Sequence, residues 1–306
     1  MSGHGALFLG VDGGGTTTRA LVVDADGVVR GRGTSGGANQ EVIGSDAAVE
    51  AVRAAVREAL GNSGAELPVR TAWIGLAGVD SAAAAESLRP ALAPLADYVR
   101  ISNDAELLLG VLPGGVGVAL IAGTGSIALG CNAAGETARA GGWGHIFGDE
   151  GSGYAIGAAA LRATAHDADH IGQPTTLGER ITRAWHLHAP TELLGYIYGR
   201  GGFDKAAIAG LAPLVFEAAA DGDLVADLIV QQQARDLVTT ALAVEHRLGF
   251  QGETPLALGG GLLLHMERYR TLVLEHLRGS GCYYEPVVLV ADPALEAARA
   301  ARELTR

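Results

Sequence analysis

Two short loops rich in glycine and hydroxyl residues are the parts of the sequence best suited to binding phosphate. The first, DGGGTTT at residues 12–18, lies between two apolar runs, and the second, GTGS at residues 123–126, lies in a similar setting. Glycine lets the backbone approach an anion closely, while backbone N–H groups and threonine hydroxyls can donate hydrogen bonds to its oxygens. The predicted phosphate-binding residues are Gly13, Gly14, Gly15, Thr16, Thr17, Thr124, Gly125 and Ser126.

Asp12, at the end of the first apolar run, is expected beside that phosphate. A carboxylate is tolerated there when a cation such as Mg²⁺ lies between the two, commonly through water, so Asp12 is the predicted magnesium ligand. Three glycines alone also allow a tight hairpin that binds nothing, which is the alternative for this loop. The second loop favours the phosphate interpretation, because two such loops could hold one nucleotide.

Two common nucleotide-binding motifs are excluded by the sequence. A P-loop requires a lysine directly before Ser or Thr, and the only lysine of the chain, Lys205, lies in FDKAA. A dinucleotide-binding Rossmann fingerprint requires its glycines to lead into a helix, whereas DGGGTTT leads into a second strand-like run. Any nucleotide site in this chain must therefore be neither a P-loop nor a Rossmann dinucleotide-binding site.

Asp104 and a third glycine cluster each allow two interpretations. Asp104 follows a predicted strand, where its carboxylate could accept a proton from a hydroxyl group during phosphoryl transfer or could simply cap a helix. Gly260 and Gly261 follow a predicted strand at 255–258. They could let the backbone pass close to an adenine or ribose, or form only a strand-to-helix turn.

The pattern of apolar residues places both hydroxyl-rich loops between strands. Runs 7–11 and 19–23 predict a β-hairpin, and the segment from Val116 repeats its order of strand, loop, strand and turn. The repeat indicates a duplicated α/β unit whose two loops face a cleft, with a lobe boundary near 112–116. Elsewhere we predict strands at 72–77, 98–102, 255–258 and 287–290, and helices from 45 or 46 to 60, around a break near Pro90, from about 105, over much of 151–248, and at 263–277 and 293–304.

Composition narrows the class of protein. The 306 residues are 48% hydrophobic, which suffices for a large core and usually means two domains. A net charge of −12 without a basic run argues against a nucleic-acid partner. No apolar run reaches the roughly 20 residues of a membrane span, and residues 1–6 lack a signal peptide's basic start, so a cytoplasmic protein is expected. Cys131, predicted to be buried in a strand, and Cys282 are too few for a disulfide framework or a four-ligand zinc site.

Five motifs taken together resemble one known family. They are DGGGT, SNDAE, GTGS, GGWGHIFGDEGSGY and LGGG, in this order from residue 12 to residue 261. The set is similar to the N-acetylglucosamine kinase branch of the BadF/BadG/BcrA/BcrD ATPase family, within the actin-like and sugar-kinase ATPase superfamily. The resemblance implies an α/β fold of two ribonuclease-H-like lobes, with Mg·ATP and a sugar in the central cleft. We expect lobes at 1–114 and 115–292, the second with a helical insertion, and a C-terminal helix at 293–306 that packs on the first lobe.

The resemblance also implies roles for particular residues. Asp104 corresponds to the catalytic base of similar sugar kinases, and Asn39 matches a position that hydrogen-bonds the sugar. The signature GGWGHIFGDEGSGY offers an aromatic wall and a carboxylate, which suit a sugar's apolar face and hydroxyls. The expected substrate-binding residues are Asn39, Gly78, Asp80, Thr124, Trp143, Gly144 and Asp149, with Gly260 and Gly261 at the nucleotide.

The expected activity is ATP-dependent phosphorylation of an amino sugar by a homodimer. N-acetyl-D-glucosamine giving its 6-phosphate is the first choice, and glucosamine and N-acetylmuramic acid remain alternatives. A further alternative is an ATPase that activates a CoA-ester dehydratase or reductase through an iron–sulfur cluster, which requires thiolates at a shared interface. A noncatalytic sugar or nucleotide sensor would be expected to carry a DNA-binding segment, and the zinc cluster of ROK sugar kinases has no counterpart in the sequence.

Overall fold

The computed structural model describes residues 6–64, 66–199 and 204–304. The chain divides into two compact units, one that ends at Ala119 and resumes at Val290, and one over Leu120–Leu289. The proposed domain boundaries at 114/115 and 292/293 stay a prediction, since compactness does not test independent folding. The last two residues of the predicted segment 293–306, like residues 1–5, lie outside the described residues.

Each unit is built on a five-stranded sheet, and the strands follow the same sequential order in both sheets. The first sheet has the order β3-β2-β1-β4-β5 and the second the order β8-β7-β6-β9-β10. The strands are β1 (Phe8–Gly13), β2 (Thr17–Val23), β3 (Val29–Gly36), β4 (Val69–Leu76), β5 (Ala96–Ser102), β6 (Gly117–Ala122), β7 (Ser126–Cys131), β8 (Thr137–Gly141), β9 (Glu253–Gly259) and β10 (Tyr283–Leu289).

Thirteen α-helices occur in the described residues. They are α1 (Gln40–Ile43), α2 (Ser45–Ser63), α3 (Ala82–Leu92), α4 (Gly144–Phe147), α5 (Gly153–Ala168), α6 (Leu177–Ala184), α7 (Leu193–Gly199), α8 (Lys205–Ala209), α9 (Ala212–Ala220), α10 (Leu224–Leu248), α11 (Gly261–His265), α12 (Glu267–Gly279) and α13 (Pro293–Ala301). Short 3₁₀ helices cover Ala93–Leu95, Asp104–Val111, Pro113–Gly115 and Pro190–Glu192. None of the described helices is long and apolar enough to cross a membrane.

Strand β1 is the centre of the first unit. It is antiparallel to β2 and parallel to β4, so the chain must cross over through α2 before it returns to the sheet. Helix α13 brings the end of the chain back onto this strand. At Gly10 the two backbones are so close that a Cβ would lie 2.0 Å from the Ala294 carbonyl oxygen. Because β1, β4 and β5 are parallel, their carboxyl ends lie at the same edge of the sheet. In open α/β sheets this is the edge at which ligands bind.

The structure confirms the predicted hairpins but adds one strand to each. Strands β3 and β8, with sequences VRGRGTSG and TARAG, were not predicted, because their glycine and polar content hides the alternation that marks a strand. Both are edge strands, where polar residues are favoured. The duplicated α/β pattern thus extends to three antiparallel strands in each unit.

Three local predictions were wrong, and one predicted helix is of another type. Pro90 lies inside the last turn of α3 and does not break it. The helix expected from Ala105 is a 3₁₀ helix that begins at Asp104, and the single helix expected at 263–277 is divided between α11 and α12 at Met266. Cys131 is only partly buried, because it is the last residue of β7.

Candidate active site

The first predicted phosphate loop joins β1 to β2, and some of its backbone N–H and carbonyl groups are already hydrogen-bonded within the protein. Gly14 donates its N–H to the Thr17 carbonyl at 3.0 Å, and its own carbonyl accepts the N–H of Ala38 at 2.9 Å. Gly13 is buried, and a Cβ there would lie 2.4 Å from Leu76 Cδ2. Gly13 and Gly14 therefore shape the loop, while the exposed residues Gly15, Thr16 and Thr17 are the ones that could donate to a phosphate.

Asp12 and Asp104 interact electrostatically within the first unit. Burial, and then repulsion from Asp104, raise the pKa of Asp12 to about 7 against an opposing effect of Arg19. Burial is also the main cause that raises the pKa of Asp104 to about 6, with a smaller contribution from Asp80. The parallel strands β1 and β5 account for the proximity, since Asp12 is near the end of one and Asp104 follows the end of the other. Two carboxyl groups with raised pKa values at a sheet edge are typical of an acid–base or cation site.

Asp12 fits a magnesium ion held mainly by phosphate and water. The described residues contain no cluster of three or more His, Cys, Asp or Glu side chains that could hold a metal. Mg²⁺ normally binds through one or two carboxylates and completes its shell with water and substrate phosphates. A bound cation would also favour the ionised form of Asp12, whose burial otherwise disfavours charge.

The helix cap next to Asp104 is formed by the preceding residue. Asn103 is the N-cap of the 3₁₀ helix, and its Oδ1 accepts the N–H of Ala105 at 3.0 Å. Asp104 Oδ1 accepts the same N–H at 2.9 Å. Asn103 also donates from Nδ2 to Asp80 Oδ1 at 2.8 Å. Asp104 is thus the first residue of the helix, and the candidate Asp80 is held beside it.

The other sugar-binding candidates of the first unit, Asn39 and Gly78, are in contact with each other. Gly78 has a φ of 80°, and a Cβ there would lie 2.7 Å from Asn39 Oδ1. Asn39 caps α1 by accepting the N–H of Glu41 at 3.0 Å, so its Nδ2 is the group that could donate to a sugar. Gln40 fixes Gly78 by donating to its carbonyl at 2.8 Å.

In the second unit, the GTGS loop is bound tightly to the signature segment. Gly153 donates its N–H to the Gly123 carbonyl at 2.7 Å. Ser126 is buried, donates from Oγ to the Glu150 carbonyl at 2.7 Å, and donates its N–H to Asp149 Oδ1 at 3.1 Å. Both donors of Ser126 are thereby used inside the protein, and its predicted contact with phosphate stays a prediction. The exposed Thr124 remains the candidate of this loop for phosphate or sugar.

The glycines after β9 lie against the same loop. Gly260 has a φ of 83°, and a Cβ there would lie 2.4 Å from the Ala122 carbonyl oxygen. Gly261 begins α11 with open space on the side where a Cβ would stand. The structure therefore brings GTGS and Gly260–Gly261 together, and only Gly260 is required by packing.

The signature segment contains one buried and one exposed candidate. Asp149 is 3% exposed with a φ of 64°, whereas Trp143 is 69% exposed and has the Arg139 guanidinium 5.4 Å from its ring centre. Gly144, the first residue of α4, has a φ of 75° and no neighbouring atom within 4 Å of a Cβ. Trp143 and Gly144 are accessible to a ligand, and Asp149 is held inside the loop.

Lys205 is the residue of this region that sequence reasoning missed. Its Nζ forms an ion pair with Asp149 Oδ2 at 2.7 Å. The two residues are far apart in the sequence, and α8, which begins at Lys205, is too short for its packing to be predicted. The one available signal was that the chain contains a single lysine.

Comparison with known proteins identifies the family. Residues 9–295 match the BadF/BadG/BcrA/BcrD ATPase family. The chain belongs to this family. It is 35% identical over 263 residues to the N-acetylmuramic acid/N-acetylglucosamine kinase of Clostridium acetobutylicum, covering 83% of this chain and 85% of that protein. It is 30% identical to the N-acetyl-D-glucosamine kinase of Dictyostelium discoideum, covering 95% and 96% of the two chains.

A solved structure shows the same fold. A Chromobacterium violaceum protein, solved as a candidate N-acetylglucosamine kinase, superposes with a TM-score of 0.77 at 28% identity over 97% of this chain and 99% of that one. The BadF/BadG/BcrA/BcrD family assignment and the two-lobed α/β fold predicted from the sequence are therefore confirmed.

Proposed function

We propose that this member of an ATPase family transfers the γ-phosphoryl group of ATP to a hydroxyl of an amino sugar, with N-acetyl-D-glucosamine giving its 6-phosphate as the first candidate. The observation that carries the proposal is the placement of two acids at the carboxyl edge of the first sheet, with Asp12 near the end of β1 and Asp104 after the end of β5. The charge of Asp104 contributes to the raised pKa of Asp12. A cation-binding carboxylate and a general base at one edge are what phosphoryl transfer to a hydroxyl requires. The kinase names of the two relatives support the same reaction.

Asp104 serves as the general base in this mechanism. Its pKa, raised to about 6 by burial, leaves the carboxylate mostly ionised at neutral pH yet more basic than a solvated aspartate. Such a group accepts the hydroxyl proton as the oxygen attacks phosphorus in line with the leaving oxygen of ADP. The hydrogen bonds of Asn103 keep the start of the helix, and hence Asp104, in place.

Asp12 would hold Mg²⁺, most simply through water. When bound, the ion supplies charge neutralisation to the phosphates. Gly15, Thr16, Thr17, Thr124, Gly125 and Gly261 are the proposed nucleotide contacts, with Gly13, Gly14 and Gly260 shaping the backbone around them. The proposal also includes a homodimer and a cytoplasmic location, of which the first is tested by light scattering of the purified protein.

Asn39 Nδ2, Asp80, Thr124, Trp143 and Gly144 are the proposed sugar contacts, with Gly78 shaping the turn beside Asn39. The predicted contact of Asp149 with the sugar is indirect in this proposal, since its carboxylate holds the GTGS loop that presents Thr124. Asn39 and Asp80 offer a donor and an acceptor for hydroxyls or an acetamido group, and Trp143 offers an exposed aromatic face. Glucosamine and N-acetylmuramic acid remain alternatives, and the name of the Clostridium acetobutylicum relative includes the second sugar.

The deciding experiment is a coupled assay of ADP release with N-acetylglucosamine, glucosamine, N-acetylmuramic acid and glucose as separate substrates. We expect ATP- and Mg²⁺-dependent turnover with at least one amino sugar and little with glucose. Mass spectrometry and NMR of the product then identify the phosphorylated hydroxyl. ADP release at the same rate with every sugar and with none would contradict the proposal and leave a simple ATPase.

Activation of a CoA-ester enzyme through an iron–sulfur cluster receives no support from the cysteines. Burial, followed by the neighbouring Glu245 carboxylate, raises the pKa of Cys282 to about 11. Without a metal this environment disfavours the thiolate form, so a cluster would have to displace the proton from Cys282 on binding. An iron-containing preparation would nevertheless favour that alternative.

A further inference from the structure

The single lysine of the chain lies against the buried acid of the signature segment. Asp149 is 3% exposed, and Lys205 Nζ lies 2.7 Å from its Oδ2, with about a third of the lysine side chain exposed. A buried carboxylate is strongly unfavourable unless it is paired. Lys205 provides that pairing charge.

The packing of two helices places Lys205 there. Helix α8 lies so close to α5 that a Cβ at Gly157 would stand 2.0 Å from the Ile208 carbonyl oxygen. A Cβ at Gly153 would stand 3.2 Å from the Ala209 carbonyl oxygen. Asp204 caps α8 by accepting the N–H groups of Ala206 and Ala207 at 2.9 and 3.1 Å. Because glycines on α5 allow this contact, the first residue of α8 is held over the signature segment.

The second oxygen of Asp149 binds the GTGS loop. Oδ1 accepts the N–H of Ser126 at 3.1 Å, and a Cβ at Gly125 would lie 2.6 Å from the same oxygen. Asp149 thus connects Lys205 to the loop that presents Thr124. A carboxylate so close to a loop that is proposed to hold ATP would repel the polyphosphate unless its charge were balanced.

We propose that Lys205 is a positioning residue of the phosphoryl transfer, which holds the Asp149 carboxylate against the Ser126 amide and balances its charge beside the ATP phosphates. The inference rests on the proposed function for its place in the reaction. Lys205 acts through Asp149 and the GTGS loop, and no contact with either substrate is required of it.

The first test replaces the charge and keeps the length of the side chain. We expect Lys205→Met to raise the KM for ATP and the Kd for a fluorescent ATP analogue by about tenfold, with a similar fall in kcat, because the loop loses its anchor and Asp149 loses its counter-charge. Lys205→Arg should restore both constants to within about threefold of wild type, since it retains the charge. Arg268→Met, which breaks the more exposed ion pair with Asp227, is the matched control and should leave both constants unchanged.

A second substitution separates charge balance from simple packing. Adding Asp149→Asn to Lys205→Met removes the uncompensated charge, so the Kd for the ATP analogue should return towards the wild-type value. A lower Tm of Lys205→Met with an unchanged Kd and KM for ATP would mean that the ion pair is only structural, and would overturn the inference. Because the Kd is measured without sugar, this test remains valid if no amino sugar proves to be a substrate.

Chemical modification of the folded wild-type protein gives an independent test. Lys205 is the only lysine, so acetylation by an N-hydroxysuccinimide ester can be followed at one side chain by peptide mass spectrometry. We expect loss of ATP binding to parallel acetylation of Lys205, and the Lys205→Arg enzyme to resist inactivation. Full binding after complete acetylation would contradict a positioning role.

Discussion

Trp73 donates its indole N–H to Ser102 Oγ at 2.9 Å, and the same hydroxyl donates to the Asn103 carbonyl at 3.0 Å. This buried pair connects β4 to the end of β5, two residues before Asp104. The Arg100 guanidinium lies over the Trp73 ring, 4.1 Å from its centre, and helps to hold the indole in place. The position of the proposed base is therefore supported by a buried hydrogen bond between two strands of the sheet.

Ser102→Ala should reduce both stability and turnover. The variant leaves the Trp73 N–H buried without a partner, which we expect to lower the free energy of unfolding by about 1–3 kcal/mol. Loss of the contact to Asn103 should also lower kcat on the order of tenfold through misplacement of Asp104. Chemical denaturation and steady-state kinetics measure the two effects. Ser87→Ala, which removes an exposed hydroxyl bonded to the Ala84 carbonyl, is the control and should change neither.

Asp104→Asn should abolish most turnover while ATP and sugar still bind. The amide keeps the size of the side chain but accepts no proton, so kcat should fall by about 10²–10⁴-fold. Calorimetric titration of each substrate, set beside kcat, measures the two properties separately. Glu106→Gln, close by and paired with Arg100 at 3.5 Å, should keep near-normal kcat. Wild-type kcat in Asp104→Asn would remove this residue from the mechanism.

The value of kcat/KM should fall at acidic pH as Asp104 becomes protonated. Its pKa is raised to about 6, and the base works only when ionised, so kcat/KM should be full above that pH and fall tenfold per unit well below it. Asp80→Asn removes a neighbouring negative charge that raises this pKa, and should move the midpoint to lower pH. The profiles are measured with saturating Mg²⁺. A midpoint that Asp80→Asn leaves in place would show that another group controls the fall.

Asp12→Asn should stabilise the protein and inactivate it. The folded pKa of about 7 is above the ordinary value of 3.8, so the folded state binds more protons and this residue's contribution to stability is lost as the pH rises from 3.8 through 7. Removing the charge should therefore raise Tm at pH 8 on the order of 2–4 °C in Mg²⁺-free buffer. At pH 5 the difference should be smaller, and scanning fluorimetry at both values tests this. An unchanged Tm at pH 8 would show that ionisation of Asp12 does not destabilise the folded protein.

Gly10→Ala and Gly61→Ala should have opposite effects on stability. A Cβ at Gly10 would overlap the backbone of α13 at Ala294, so we expect a loss of about 3 kcal/mol or more. Gly61 lies in α2 with no atom within 4 Å of a Cβ, and alanine there should add about 0.5–1 kcal/mol. Urea unfolding of both variants measures the difference. Equal effects would mean that α13 does not pack on β1 as described.

Much of the fold and part of the site could be predicted because the informative features are local in the sequence. Hairpins around DGGGTTT and GTGS are visible as apolar runs on either side of glycine, and Asp104 is visible as an acid after a strand. The edge strands β3 and β8 carry no such pattern, since an edge strand can be polar. The two hydrogen bonds that Ser126 donates and the ion pair of Asp149 with Lys205 depend on tertiary contacts. Spacing along the chain does not reveal such contacts.

The return of α13 to the first unit has a consequence for the order of folding during synthesis. Its alanines Ala297, Ala298 and Ala301 complete a buried cluster with Phe8, Val23, Trp73 and Leu107. These partners leave the ribosome long before α13 does, so the cluster on this side of the first sheet stays incomplete until the C-terminal helix has been translated. The unit at Leu120–Leu289 is continuous in the sequence and can mature earlier. Chaperone dependence of nascent chains should accordingly concentrate on the half that was made first.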